Sequence, residues 1–260
     1  VGHDFGSYVS CYFSLLYPDM VNSLVIMSMP FGGPPSKNTL GNFNINSVNK
    51  SLLKLRPRRK HYQKYFASKA AFYDISNCKQ GMFDFLKAYF YFKSIDYRKN
   101  KPHKLTKSSA SQLSKIPEYY IMKYNLGMAE TVRLAAPNSY YKLSWLEDKE
   151  LHIYAKSFNK ANIQGPLNWY KVMISDEEKE RIIKLKLPQS IKVPSLFIAG
   201  EADWGSYQKP GELERMEKVF FNNFYGTKII KNAGHWVQQE NPKACKREIL
   251  NFYKQIKIIK

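Results

Sequence analysis

The chain has 260 residues, 44% of them hydrophobic and 15% aromatic, which supplies a core and excludes a disordered polymer. Basic residues outnumber acidic ones 41 to 21, for a net charge of +20, yet they are spread along the chain without a recognition motif and read as solvated faces rather than a specific nucleic-acid surface. No apolar run approaches the ~20 residues of a transmembrane helix; the best candidate, residues 21–30, is short and broken by Asn22 and Ser23.

In chain order, Val1-Gly2-His3-Asp4-Phe5-Gly6-Ser7 reads as a strand end passing through a sharp turn into a helix. Small residues on either side of Asp4 match the nucleophile elbow that serine hydrolases write G-x-S-x-G. With Asp4 at its centre, the attacking group is a carboxylate. Residues 7–17 predict a helix that stops at Pro18, and 21–29 a buried parallel strand. The cluster Pro30-Phe31-Gly32-Gly33-Pro34-Pro35 then marks a domain boundary.

Beyond it the character changes. Apolar residues recur at helical spacing in 62–71, 79–91 and 119–133, and no run of buried-strand type appears before residue 187. Within this stretch 100–114, rich in Lys and Ser, predicts a flexible loop. Strand character returns at 193–199, followed by a loop (200–210), a helix (212–221), a short strand (227–231), a loop (232–236) and a closing helix (242–254). The pattern is α/β with parallel strands: a core from residues 1–35 and 188–260, and an inserted, mostly helical cap from 36–187.

Cys11, Cys78 and Cys245 are scattered and odd in number, which suggests a reducing, cytoplasmic setting and neither a disulfide framework nor a metal knuckle. The chain starts with Val, so targeting signals are not read from it, and oligomeric state is silent.

Three strand-like segments each lead into a loop with one reactive residue: Asp4, Asp203 and His235. In a parallel sheet the strand C-terminal ends share an edge, so the three can converge there. Their order is that of Ser…Asp/Glu…His hydrolases, with Asp in place of Ser.

Singly, each block has an ordinary reading as a turn, a cap or a packed loop. Together, Gly2-His3-Asp4-Phe5-Gly6, Gly200-Glu201-Ala202-Asp203-Trp204-Gly205 and Ala233-Gly234-His235-Trp236-Val237-Gln238 resemble the corresponding blocks of α/β-hydrolase-fold epoxide hydrolases. His61-Tyr62-Gln63-Lys64-Tyr65-Phe66 and Gly165-Pro166-Leu167-Asn168-Trp169-Tyr170 resemble that family's two lid segments. Residues 118–132 and 206–210 are most similar to its fungal, soluble-type branch.

The resemblance implies a fold, a reaction and roles. Asp4 would attack an epoxide carbon, Tyr62 and Tyr170 would bind the ring oxygen and supply a proton, and the backbone N–H of Phe5 would belong to the oxyanion hole. His235, oriented by Asp203, would activate the water that hydrolyses the ester. His3 is expected to be structural, Trp204 and Trp236 to wall the pocket, and Trp169 to anchor the lid. The partners would be a small hydrophobic epoxide and water, with no cofactor and no metal. The family's upstream strands and its His-Gly-x-Pro loop have no counterpart here, so the chain is expected to be N-terminally truncated, with weak or no turnover on its own. Two alternatives stand beside this reading. One is a dehalogenase of the same fold, disfavoured by Phe5 where a halide-binding Trp would sit. The other is a catalytically dead hydrolase-like binding domain.

Overall fold

Two segments, Leu24–Met27 and Ser195–Gly200, are buried at every residue, which a strand achieves only when both faces of its sheet are covered. The computed structural model describes residues 1–36, 44–137 and 140–259. Among them are strands β1 (Gly2–His3), β2 (Leu24–Met27), β3 (Arg59–His61), β4 (Ile121–Lys123), β5 (Ser195–Gly200) and β6 (Phe224–Ile230). One sheet has the order β1-β2-β5-β6 and is parallel throughout; β3 and β4 form a separate antiparallel pair.

Contacts divide the chain into two compact units. The first comprises Val1–Lys37, Arg98–Thr106 and Ile182–Lys260, the second Asn38–Tyr97 and Lys107–Arg181. The first holds the parallel sheet, and alternation along the strands sorts its side chains to two faces. Leu24, Ile26, Phe197 and Ala199 pack with Cys11 and Leu15 of the helix Phe5–Leu16 and with Phe31, Met216 and Phe220. Val25, Met27, Leu196 and Ile198 pack on the other face with Cys245 and Phe252 of the closing helix Pro242–Gln255. No helix of the described residues is long and apolar enough to cross a membrane.

Two expectations are corrected. Residues 98–106, which overlap the loop predicted over 100–114 inside the cap, belong to the first unit. There Leu105 is buried, the His103 ring lies edge-on to Trp204 at 5.0 Å, and Lys104 pairs with Glu214 at 2.8 Å. The predicted cap, 36–187, is thus interrupted at this point, and it gives way to the first unit again at Ile182; residues 37–43, 138 and 139 of that predicted span lie outside the described residues. Residues 119–133 are not one helix: β4 comes first, and Gly127 then caps the helix Met128–Ala135. The helix predicted over 212–221 runs without a break from Glu212 to Phe220, but its winding changes: Glu212–Arg215 is α and Met216–Phe220 is π, closed by Phe221 N–H donating to the Met216 carbonyl at 3.1 Å.

The second unit is mostly helical. Tyr62 N–H donates to the Tyr120 carbonyl at 2.8 Å, which continues the β3–β4 ladder into the helix Tyr62–Phe66. His61 caps that helix by accepting from Gln63 N–H at 3.3 Å.

Candidate active site

Each strand of the parallel sheet delivers a polar residue just past its C-terminal end. Asp4 follows β1, Ser28 follows β2, Asp203 follows β5 and His235 follows β6. The convergence expected of the three reactive residues is therefore a property of the topology, and Ser28 is a fourth arrival that sequence reading missed.

Asp4 sits at φ 51°, ψ −118°, a left-handed conformation that L side chains rarely adopt. The turn is tight because Gly2 lies against it: a Cβ on Gly2 would come 2.1 Å from the Gly6 carbonyl oxygen. A Cβ on Gly6 would meet nothing within 4 Å, so only one of the two flanking glycines is required by space. Ser7, buried in the first turn of the helix, fastens the bend. Its hydroxyl donates toward the Met27 carbonyl (3.0 Å) and accepts from Met27 N–H (3.2 Å). Phe5 begins the same helix, so its N–H lies at the positive end of the helix dipole, beside Asp4.

His235 lies between two carboxylates. Its Nδ1 is 3.1 Å from Asp203 Oδ1, and its Nε2 is 2.9 Å from Asp4 Oδ2. Asp203 Oδ1 also accepts from Gly205 N–H at 2.7 Å. The side chains of Asp203 and His235 are 1% and 3% exposed, while that of Asp4 is 29% exposed. Asp203 and His235 are thus shielded, and Asp4 is the member of the three that is open to solvent. With Nδ1–H donating to Asp203, Nε2 is the nitrogen that faces Asp4.

The loop carrying His235 is secured on all sides. The His235 carbonyl accepts from His3 Nε2 at 2.7 Å and from the Ser28 hydroxyl at 2.8 Å. Glu240 accepts from Gly234 N–H (2.8 Å) and Trp236 N–H (2.9 Å). Burial, followed by the neighbouring His235, holds the His3 imidazole below its ordinary pKa. Glu240 was not singled out from sequence, because a carboxylate five residues after the histidine looks like any polar helical position.

Among the aromatic residues, Trp204 is buried and edge-on to His103. The Trp236 ring lies 4.8 Å from that of His235. In the second unit the Tyr62 and Tyr170 rings meet edge to face at 5.7 Å, and Phe66 stands 4.8 Å from Tyr170. Tyr62 also receives Gln63 Nε2 on its hydroxyl at 3.3 Å. The two tyrosines, 108 positions apart in the numbering, are brought together by the helices Tyr62–Phe66 and Gln164–Ile174. Trp169, on the latter helix, is 47% exposed. No cluster among the described residues has the His, Cys, Asp and Glu groups to hold a metal ion.

A parallel sheet with an acidic elbow, an acid loop and a histidine loop at one edge defines a hydrolase-class enzyme. The α/β hydrolase fold family matches residues 1–242, and the chain belongs to it. Epoxide hydrolase B of Mycobacterium tuberculosis is 28% identical over 256 residues, covering 97% of this chain and 70% of that protein. Epoxide hydrolase 3 of Siraitia grosvenorii is 25% identical over 267 residues, covering 97% and 68%. Among solved structures, an epoxide hydrolase from an endophytic Streptomyces has a TM-score of 0.75 at 19% identity, covering 99% of this chain and 68% of its own.

Proposed function

We propose that this protein is an epoxide hydrolase that works through an ester between substrate and Asp4. The observation that carries the reading is a carboxylate at the elbow, in reach of solvent and 2.9 Å from a buried imidazole. A serine there would need that imidazole as its base; an aspartate attacks already ionised. The histidine is thereby left for a second step. The epoxide hydrolases that resemble the chain over nearly its whole length support the same substrate class.

In this scheme a carboxylate oxygen of Asp4 bonds to one oxirane carbon, and the C–O bond of the ring breaks. The electron pair goes to the ring oxygen, which takes a proton from Tyr62 or Tyr170. A phenol with an ordinary pKa near ~10 stays protonated at neutral pH yet donates readily to an alkoxide. Water then adds to the ester carbonyl while His235 Nε2 takes its proton, with Asp203 steadying the imidazolium. The Phe5 N–H stabilises the oxyanion. Collapse releases a vicinal diol, whose alkoxide is protonated by His235, and the proton remaining on the new Asp4 carboxyl restores the phenol. The cluster of Tyr62, Phe66, Tyr120 and Tyr170 favours a hydrophobic epoxide.

A single turnover in ¹⁸O-water tests the scheme. The diol of the first turnover carries unlabelled oxygen taken from Asp4, and the label appears in the Asp4 carboxylate. Label entering the diol directly would mean that water, not Asp4, opens the ring.

A further inference from the structure

We infer that Glu240 is a positioning residue for His235, acting by immobilising the backbone on both sides of the imidazole. The assignment of a role rests on the ester mechanism above; the geometry stands independently of it.

The peptide unit joining His235 to Trp236 is held at both poles. Its carbonyl accepts from His3 Nε2 and the Ser28 hydroxyl, and its N–H donates to Glu240 Oε1 at 2.9 Å. The unit joining Ala233 to Gly234 is held likewise. Its carbonyl accepts from Ala202 N–H at 3.0 Å, and its N–H donates to Glu240 Oε2 at 2.8 Å. The same carboxylate therefore serves both peptide units that bracket the His235 amide, one oxygen to each. Bonds to an ionised acceptor are shorter and stronger than neutral ones. Both peptides are denied rotation, which fixes the His235 Cα and aims Nε2 at Asp4.

Glu240 lies in the single turn Val237–Glu240, and its side chain reaches back to the Trp236 amide at the start of that turn and to the Gly234 amide before it, so that it does more than cap the helix. The same loop is packed closely against β5, where a Cβ on Gly200 would come 2.1 Å from the Gly234 carbonyl oxygen. Anchors from the ends of the other three strands thus meet on two residues of the loop that follows Ile230: His3, the last residue of β1, and Ser28, after β2, on the His235 carbonyl, and Ala202, after β5, on the Ala233 carbonyl.

The two half-reactions separate positioning from mere stability, since only ester hydrolysis needs His235 as a base. In Glu240→Gln the carbonyl can serve one amide, while the NH₂ confronts the other donor. The expected result is ester formation within about twofold of the parent and hydrolysis about tenfold to a hundredfold slower, with accumulated adduct. Glu240→Asp, shorter but charged, should recover part of the loss. The ¹⁵N resonances of the His235 ring, with the exchange rates of the Gly234 and Trp236 amides, provide a readout that needs no substrate. Shifted ring resonances and faster exchange in Glu240→Gln are expected. Hydrolysis and ring resonances both equal to the parent, with only a lower melting temperature, would reduce Glu240 to a helix cap and overturn the inference. If the parent forms no ester but the ring resonances shift in the variant, the positioning role stands and the epoxide reading fails.

Discussion

A side chain at φ 51° is strained by about 1–3 kcal/mol, and Asp4 is kept there by its surroundings rather than by its own preference. Gly2 is part of that support. Gly2→Ala should lower unfolding stability by at least about 1–3 kcal/mol, because its Cβ would enter the Gly6 carbonyl. Gly6→Ala should leave stability unchanged or raise it by up to about 1 kcal/mol, since the site is open and helical. Denaturant unfolding compares the two, and equal losses would refute the asymmetry. His3 adds a pH term. Its folded pKa lies below 6.5, so as pH falls through that value the unfolded chain takes up the proton first. The stability it supports is whole above pH 6.5 and lost as pH drops toward the folded pKa. His3→Gln retains a donor for the His235 carbonyl and should flatten unfolding free energy across that acid window. An identical pH slope in parent and variant would contradict it. Asp4, Asp203 and His235 were legible in the sequence because each stands at a strand end with a recognisable loop. Ser7, Ser28 and Glu240 were not, because their partners are backbone atoms, and no residue pattern encodes a hydroxyl aimed at a distant carbonyl.

Among elements, what the chain encodes locally was read well and what it encodes at long range was not. The buried strands β2 and β5 and the helices beside them follow from runs and spacing that a short window contains. The pairing of β3 with β4 joins three residues to three across some 60 positions, too short for a period and too distant for a window. Tyr62 opens a helix there because β4 receives its amide, a fact that lies in residue 120 rather than in its neighbours. The closing helix carries its own forecast. Phe252, 2% exposed, fills the sheet face beside Ile198 and Tyr225, and Phe252→Ala should cost about 3–5 kcal/mol in denaturant unfolding. Asn241 caps the same helix through Ala244 N–H at 3.2 Å and donates to the Lys231 carbonyl. Its replacement by Ala should cost only about 1 kcal/mol. A reversed ranking would mean that the helix is held by its cap and not by the core.

For the molecule as a whole, the balance of +20 shapes how it meets its surroundings more than what it catalyses. Adsorption to polyanions should fade as salt rises while ester chemistry stays level. The proposed reaction draws its nucleophile, base and proton donor from side chains, so a strong chelator should leave diol formation unchanged; loss of turnover that returns with a divalent ion would require a different scheme. In the proposed reaction Asp4 bonds to carbon and His235 frees it. Peptide-mapped mass spectrometry of His235→Gln after exposure to a hydrophobic epoxide tests both steps together. One added epoxide mass, located on Asp4, should persist in the variant while the parent clears it. Undiminished turnover by the variant, or an adduct on any other residue, would contradict the proposed reaction.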